Sequence, residues 1–153
     1  MYLELNGKEV TLEQFYEGLE TATSVRVSCC SALKSLTANA ATDVYVYNCN
    51  ALKSLTANTA TSVYVYNCNA LKSLTAKAAT YVRVSYCNAL ERFENKHLKL
   101  LANNTYGLFV SKDGLYSAGC ARNLTLDETL DRLDRDDERA IIFTSAILLH
   151  LDN

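Results

Sequence analysis

Hydrophobic and polar positions alternate in four short runs, at Val25/Val27, Val44/Val46, Val63/Val65 and Val82/Val84, with a polar or aromatic residue between the valines. Period-two alternation marks a strand with one buried face. Each run begins nineteen residues after the one before it. The residues beyond the valines recur too, so the unit reads V-x-V-x-x-C-x-x-L-x-x-L-T-A-x-x-A-T. So short a unit cannot bury its own apolar side, and its copies must stack to cover one another. The pattern therefore predicts a ladder of parallel strands with the valines inward. No room remains for a helix on the far side of each coil, so "LTANTAT" is expected to run extended or in tight turns. Ala38/Ala41, Ala57/Ala60 and Ala76/Ala79 are expected to point inward there, small enough for a narrow coil.

The flanks break the period, as solenoid ends must to avoid bare apolar faces. "YLELNGKEV" sets Asn6-Gly7 between two alternating runs, a hairpin signal. Thr11 and Gln14 then stand at capping-box spacing and predict a helix over about 12–20, whose Phe15 and Leu19 cover the first coil. Beyond the repeats, "YGLFVSKDGLYSAGC" reads as a second hairpin turning at Asp113-Gly114. Thr125 and Glu128 repeat the capping box, and a last helix over about 137–151 carries Ile141, Ile142, Ala146, Leu148, Leu149 and Leu151.

The nineteen-residue pattern resembles the leucine-rich repeat, with Val in place of the strand leucines. Cys30, Cys49, Cys68 and Cys87 stand at the family's Asn/Cys position. Leu33, Leu52, Leu71 and Leu90 come three residues later, and Leu36, Leu55, Leu74 and Phe93 after them. The resemblance covers about residues 22–94, and "LKLLAN", with Leu98, Leu100 and Asn103, reads as a fifth, degenerate copy at a shortened spacing of sixteen. It implies an α/β solenoid whose parallel sheet has four to five coils. A parallel β-helix, which also stacks short rungs, is the alternative architecture. One compact unit is expected: a capping hairpin and helix over 1–21, the solenoid over 22–104, and a hairpin with helices over 105–153. Around "YSAGC" the last segment is similar to C-terminal regions of leucine-rich proteins of phages and prophages, a resemblance that carries no activity with it.

Charge changes the picture only by its distribution. Residues 1–20 and 122–153 each sum to −4, which leaves +6 on residues 21–121 within a net charge of −2. Such a gradient speaks of partners and solubility rather than of fold. The N-terminus has no apolar signal core, and the longest apolar run, "AIIFTSAILLHL", is too short to span a bilayer. A cytoplasmic protein is expected, with its six cysteines as thiols.

Candidate chemistry is sparse. No Gly-rich phosphate loop occurs, and the two histidines, His97 and His150, form no evident set with a Cys and an acid. The acids of "DETLDRLDRDDER" alternate with Arg132, Arg135 and Arg139, as on a solvated helical face. Stacking would place Cys30, Cys49, Cys68 and Cys87 in a line, whereas zinc needs four sulfurs around one point. Buried thiols donating weakly to carbonyls are expected instead, and Cys29, pointing outward, should be the reactive one. We expect no catalytic residues, no metal and no cofactor.

The outward positions of the sheet carry the functional signal. Reading across coils gives Arg26, Tyr45, Tyr64 and Arg83 in one row, then Ser28, Tyr47, Tyr66 and Ser85, then Cys29, Asn48, Asn67 and Tyr86. Tyr and Arg are enriched at binding hot spots, because they present large contact area at low entropic cost. The plainer reading is cross-strand stabilisation of the sheet. Partner-binding residues are expected to be Arg26, Tyr45, Tyr47, Asn48, Tyr64, Tyr66, Asn67, Arg83 and Tyr86. A non-enzymatic module binding a protein partner is the leading expectation, a host protein if the phage resemblance holds. Single-stranded nucleic acid on the same face is the alternative, ahead of homo-oligomerisation; no membrane association is expected. Lys34, Lys53 and Lys72 form a further ladder after the strands that keeps an edge soluble.

Overall fold

The computed structural model describes residues 1–103, 105–118, 121–132 and 138–152. The chain opens with a hairpin, β1 (Tyr2–Leu5) and β2 (Lys8–Glu9), turning at Asn6 and Gly7 with φ of 53° and 79°. Those positive φ values are what the Asn-Gly pair provides at low cost. Helix α1 (Leu12–Gly18) comes next, and Thr11 and Gln14 exchange side chain-to-backbone hydrogen bonds at its start.

The repeats then wind as a β-solenoid of about four turns. Each turn contributes a five-residue strand and a three-residue strand: β3 (Ser24–Ser28) and β4 (Ser35–Thr37), β5 (Asp43–Tyr47) and β6 (Ser54–Thr56), β7 (Ser62–Tyr66) and β8 (Ser73–Thr75), β9 (Tyr81–Ser85) and β10 (Arg92–Glu94). The long strands pair in parallel, with Val25, Val44, Val63 and Val82 side by side. The short strands make a second parallel sheet in which Leu36, Leu55, Leu74 and Phe93 align. The "LTA" segments, expected to be extended or turned, thus form a sheet of their own.

The narrow coil results from side-chain volume. The repeat valines, the four ladder cysteines and the inward alanines Ala38, Ala41, Ala57, Ala60, Ala76 and Ala79 are all buried, as are Leu33, Leu52, Leu71 and Leu90. Phe15, within α1, and Leu19, just beyond its end, join this core from the N-terminal end.

β1 lies antiparallel against β3, so the hairpin extends the long-strand sheet as well as covering it, in the order β2-β1-β3-β5-β7-β9. At the other end the solenoid stops. The "LKLLAN" segment is β11 (Leu98–Asn103), which pairs antiparallel with β12 (Gly107–Ser111) instead of adding a fifth coil. A sixteen-residue spacing leaves it three residues short of the solenoid's turn. β13 (Tyr116–Ala118) and β14 (Ala121–Leu124) complete a four-stranded antiparallel sheet. Helix α2 (Leu126–Arg132) begins at a second capping box, Thr125 with Glu128, and α3 (Glu138–Leu151) ends the chain. The backbone and side chain of Thr125 donate to the Glu128 carboxylate and hold its pKa below the usual range.

This end has a small core of its own, in which Leu108, Val110 and Tyr116 meet Phe143 and Ile147 of α3. The inward face of α3 is thus Ala140, Phe143 and Ile147, whereas Ile141, Leu148, Leu149 and Leu151 are exposed. Phe109, between Leu108 and Val110, points the other way and packs in the solenoid core. Part of the acidic run, including Arg135, lies outside the described residues, as do Cys120 and the side chain of Arg139.

The solenoid turns each corner after its long strand through one left-handed residue. Cys29, Asn48, Asn67 and Tyr86 have φ of 54°, 54°, 51° and 53°. Asparagine tolerates this region better than other residues with a side chain. The amides also stack, Asn67 Nδ2 donating to Asn48 Oδ1 at 2.9 Å. Cys29 and Tyr86 occupy the same geometry without that advantage.

This packing sets two expectations for stability. Leu52→Ala, inside the coil and fully buried, should cost about 2–5 kcal/mol in urea unfolding. Cys29→Asn should instead stabilise, by about 1 kcal/mol, by relieving the left-handed corner. Loss of stability in the second variant would show that this corner is not left-handed in solution.

Candidate functional site

The outward side of the long-strand sheet gathers the predicted partner-binding residues. Register places Glu9, Glu4, Arg26, Tyr45, Tyr64 and Arg83 in one cross-strand row. Within it the Tyr45 and Tyr64 rings stack at 4.8 Å and 15°, and the Arg26 guanidinium lies 5.2 Å from the Tyr45 ring centre. Tyr45 and Tyr64 can stack because parallel strands in register hold their Cβ atoms about 4.8 Å apart. Burial, and then the nearby Asp43 carboxylate, raise the Tyr45 pKa above its ordinary value.

Arg83 does not close the row as a mirror image of Arg26. The ring beside Tyr64 on the far side is Tyr81, at 4.7 Å and tilted by 43°. Tyr81 sits two residues before Arg83 on β9 and so shares its face. The period-two pattern contains that signal, but the preceding copies hold Ser24, Asp43 and Ser62 at this position, so the repeat itself does not specify an aromatic there.

The neighbouring row is Tyr2, Ser28, Tyr47, Tyr66 and Ser85. Tyr2 donates its hydroxyl to Glu4, a bond that raises the Tyr2 pKa. Tyr66 is exposed and meets Tyr86 edge-on at 5.3 Å, and Tyr86 meets Tyr106 at 6.1 Å. Ser85 is buried, because Tyr106 bridges to it from the C-terminal segment. Tyr106 was invisible to the repeat pattern because it lies outside the repeats.

Asn48, Asn67 and Tyr86 belong to the left-handed corner along one border of this face. The two asparagine amides are engaged along the ladder, Asn48 Nδ2 approaching Cys29 Sγ at 3.9 Å and Asn69 Nδ2 donating to Asn67 Oδ1 at 3.1 Å. Tyr45, Tyr47, Tyr64, Tyr66 and Tyr81 therefore form the central patch, with Arg26 and Glu4 on one flank and Arg83 and Tyr86 on the other.

The cysteines lie just inside the corner. Cys49, Cys68 and Cys87 each donate to the carbonyl two residues earlier, Tyr47, Tyr66 and Ser85, at 3.3, 3.5 and 3.3 Å. Cys30 instead approaches the Met1 sulfur at 3.6 Å. Hydrogen bonding with the Cys49 and Cys87 thiols on either side, and then burial, push Cys68 up. One sulfur per coil makes a line, not a cage. Among the described residues no group of three or more His, Cys, Asp or Glu is placed to hold a metal ion. Cys29 alone of the described cysteines is exposed.

Alkylation followed by mass spectrometry should label Cys29 well before Cys49 and Cys68, because exposure and thiolate access set the rate. Equal labelling of all three in the native protein would contradict the buried ladder.

No family model, curated protein or solved structure gives a significant match to this chain.

Proposed function

We propose that this chain is a non-enzymatic protein-interaction module that binds a folded partner through the outer aromatic face. One observation carries the reading: aromatic rings run in contact across the coils, from Tyr45 through Tyr64 to Tyr81 and from Tyr66 through Tyr86 to Tyr106. The sheet beneath holds the rings in place, so a partner would meet a surface whose side-chain entropy is already spent. Tyr66 and Tyr86 remain 43% and 41% exposed, which leaves aromatic area to cover. Stacking alone accounts for Tyr45 and Tyr64; it leaves these two rings unexplained.

Single-stranded nucleic acid, the rival ligand, calls for a basic track beside the stacking rings. The hairpin weakens that reading by setting Glu4 opposite Arg26, with Glu9 beyond it in the same row. Asp43 adds a further acid beside Tyr45. The lysines that make the middle of the chain positive are elsewhere, Lys34, Lys53 and Lys72 stacking in the loop before the short strands. The face itself is close to neutral.

The Cys-x-x-Leu-x-x-Leu spacing supports kinship with short leucine-rich repeats, within the β-solenoid architecture. Were the phage-type likeness of the last segment also real, the partner would be a host-cell protein held in check by this face, in the cytoplasm. No helix among the described residues is long and apolar enough to cross a membrane.

The test is a Tyr45→Ser/Tyr64→Ser variant. Each position contributes only about 0.2–1 kcal/mol of cross-strand pairing, so circular dichroism and the unfolding transition should stay near wild type. Affinity for a partner captured by wild type should fall by about 2 kcal/mol or more, with weak dependence on salt. Full affinity in this variant and in Tyr66→Ser/Tyr86→Ser would remove the aromatic face from consideration. A steep salt dependence flattened by Arg26→Ala and Arg83→Ala would favour nucleic acid.

A further inference from the structure

We propose that the cleft between the last parallel strand and the C-terminal antiparallel sheet is a binding site for a small organic anion. The cleft arises from topology. β9 is the final strand of the long-strand sheet, and among the described residues its outer edge meets the next segment only at the Ser85–Tyr106 bridge and the adjacent Tyr86 N–H bond to the Thr105 carbonyl. β12 comes close to this edge, but both its sides are occupied by β11 and β13. A parallel coil and an antiparallel meander therefore diverge along Tyr81–Arg83 and leave a cavity of about 610 Å³. That volume lies within the range of small-molecule sites.

The lining is largely polar, with several basic residues beside a smaller apolar part. Val82, Leu98 and Phe109 are among its apolar members, Val82 and Phe109 at the border of the solenoid core, and Arg83, His97 and Lys112 are its basic ones. Asp113 is the sole acid among the described residues around the cleft. Arg83 and Lys112 make no side-chain hydrogen bond or ion pair among the described residues, where the one salt bridge joins Lys77 and Glu94. Arg26 offers the contrast, set opposite Glu4 and over the Tyr45 ring. At that end of the sheet the guanidinium has an acid and an aromatic ring for company; at this end it is half-buried and has no ion pair among the described residues. Two such cations lining one cleft that also holds apolar residues suit a carboxylate or phosphate attached to a compact hydrophobic body.

This site is separate from the aromatic face in all but Arg83 and the edge ring Tyr81, and Lys112, on the C-terminal hairpin, belongs to the cleft alone. Its test can therefore fail without touching the interaction proposed for the tyrosines. Phenyl phosphate, phenol and inorganic phosphate are titrated into the full chain, followed by calorimetry and by backbone amide chemical shifts. Saturable binding of phenyl phosphate is expected, tighter than that of either fragment, with the shifts concentrated at residues 81–83 and 107–112. Arg83→Gln and Lys112→Gln should each weaken it by about tenfold or more, whereas Lys34→Gln, a lysine of the same charge outside the cleft, should leave it unchanged. The Lys112 variant keeps the experiment decisive should Arg83→Gln disturb the sheet. Absence of saturable binding at millimolar concentrations would overturn the proposal. So would phenol binding as tightly as phenyl phosphate, inorganic phosphate binding as tightly, or affinity indifferent to both glutamine variants.

Discussion

Everything in this molecule hangs on the register between successive coils. Because each long strand pairs in parallel with the copy nineteen residues away, every residue of a repeat sits beside its own counterpart. The constraint acts on the whole turn at once. A valine must fit against a valine, a thiol against a thiol, and an alanine against an alanine, with the interior only as wide as two facing sheets of small and medium side chains allow. Backbone groups at the corners are satisfied the same way, as when the Asn48 N–H reaches the Tyr66 carbonyl at 2.9 Å and the Asn67 N–H reaches the Ser85 carbonyl at the same distance. The cysteine ladder is a result of this geometry, since a small thiol can turn back to a carbonyl of its own coil while four of them lie in line.

Register also dictates what happens at the ends. Stacking that never stops leaves an open edge, and this chain deals with its two edges differently. At the first, an antiparallel strand with Tyr2 and Glu4 facing outward continues the sheet, and α1 seals the interior with Phe15. At the second, the chain leaves the solenoid before completing another turn and builds an antiparallel sheet whose Phe109 plugs the core from the side. The first edge is extended by a strand; the second is plugged, and the fit between unlike sheets leaves space.

The parts of this arrangement that the sequence disclosed are those governed by one period. Inward valines, alanines and leucines, the outward tyrosine rows, the carbonyl-bound thiols and the turns at Asn6-Gly7 and Asp113-Gly114 were all legible, because each depends on local alternation or on repetition at fixed spacing. The second parallel sheet was half legible: extended backbone was implied by the short unit, but its pairing depends on coil dimensions that no local pattern states. Three features were hidden. Glu4 joins the Arg26 row only through pairing between β1 and β3, a long-range register that hairpin signals leave open. Tyr81 occupies a position where the other copies carry small or acidic residues, so averaging over repeats erased it. The left-handed corner was masked by Cys29 and Tyr86, which lack the usual sequence signature of positive φ, although Asn48 and Asn67 carried it.

The outer face shows how repetition and its termination together shape a surface. Read along the repeats alone, the rows are palindromes, Arg-Tyr-Tyr-Arg and Ser-Tyr-Tyr-Ser, and nothing in them distinguishes one end from the other. The flanking elements do. β1 sets Glu4 opposite Arg26 and Tyr2 opposite Ser28, giving that end an acid and a further aromatic ring. The C-terminal segment buries Ser85 beneath the Tyr106 bridge and leaves Arg83 at the lip of the cleft. Two arginines that are equivalent in the repeat thus differ in electrostatic setting, Arg26 having Glu4 as a strand partner and Arg83 having only Tyr64 among the described residues. A partner lying along the tyrosines would meet a polar gradient that fixes its direction, since reversing it would bring each of its charges against the wrong end. In that reading the middle coils would provide the contact area, and the caps, by breaking the symmetry that the repeats impose, would give that area an orientation.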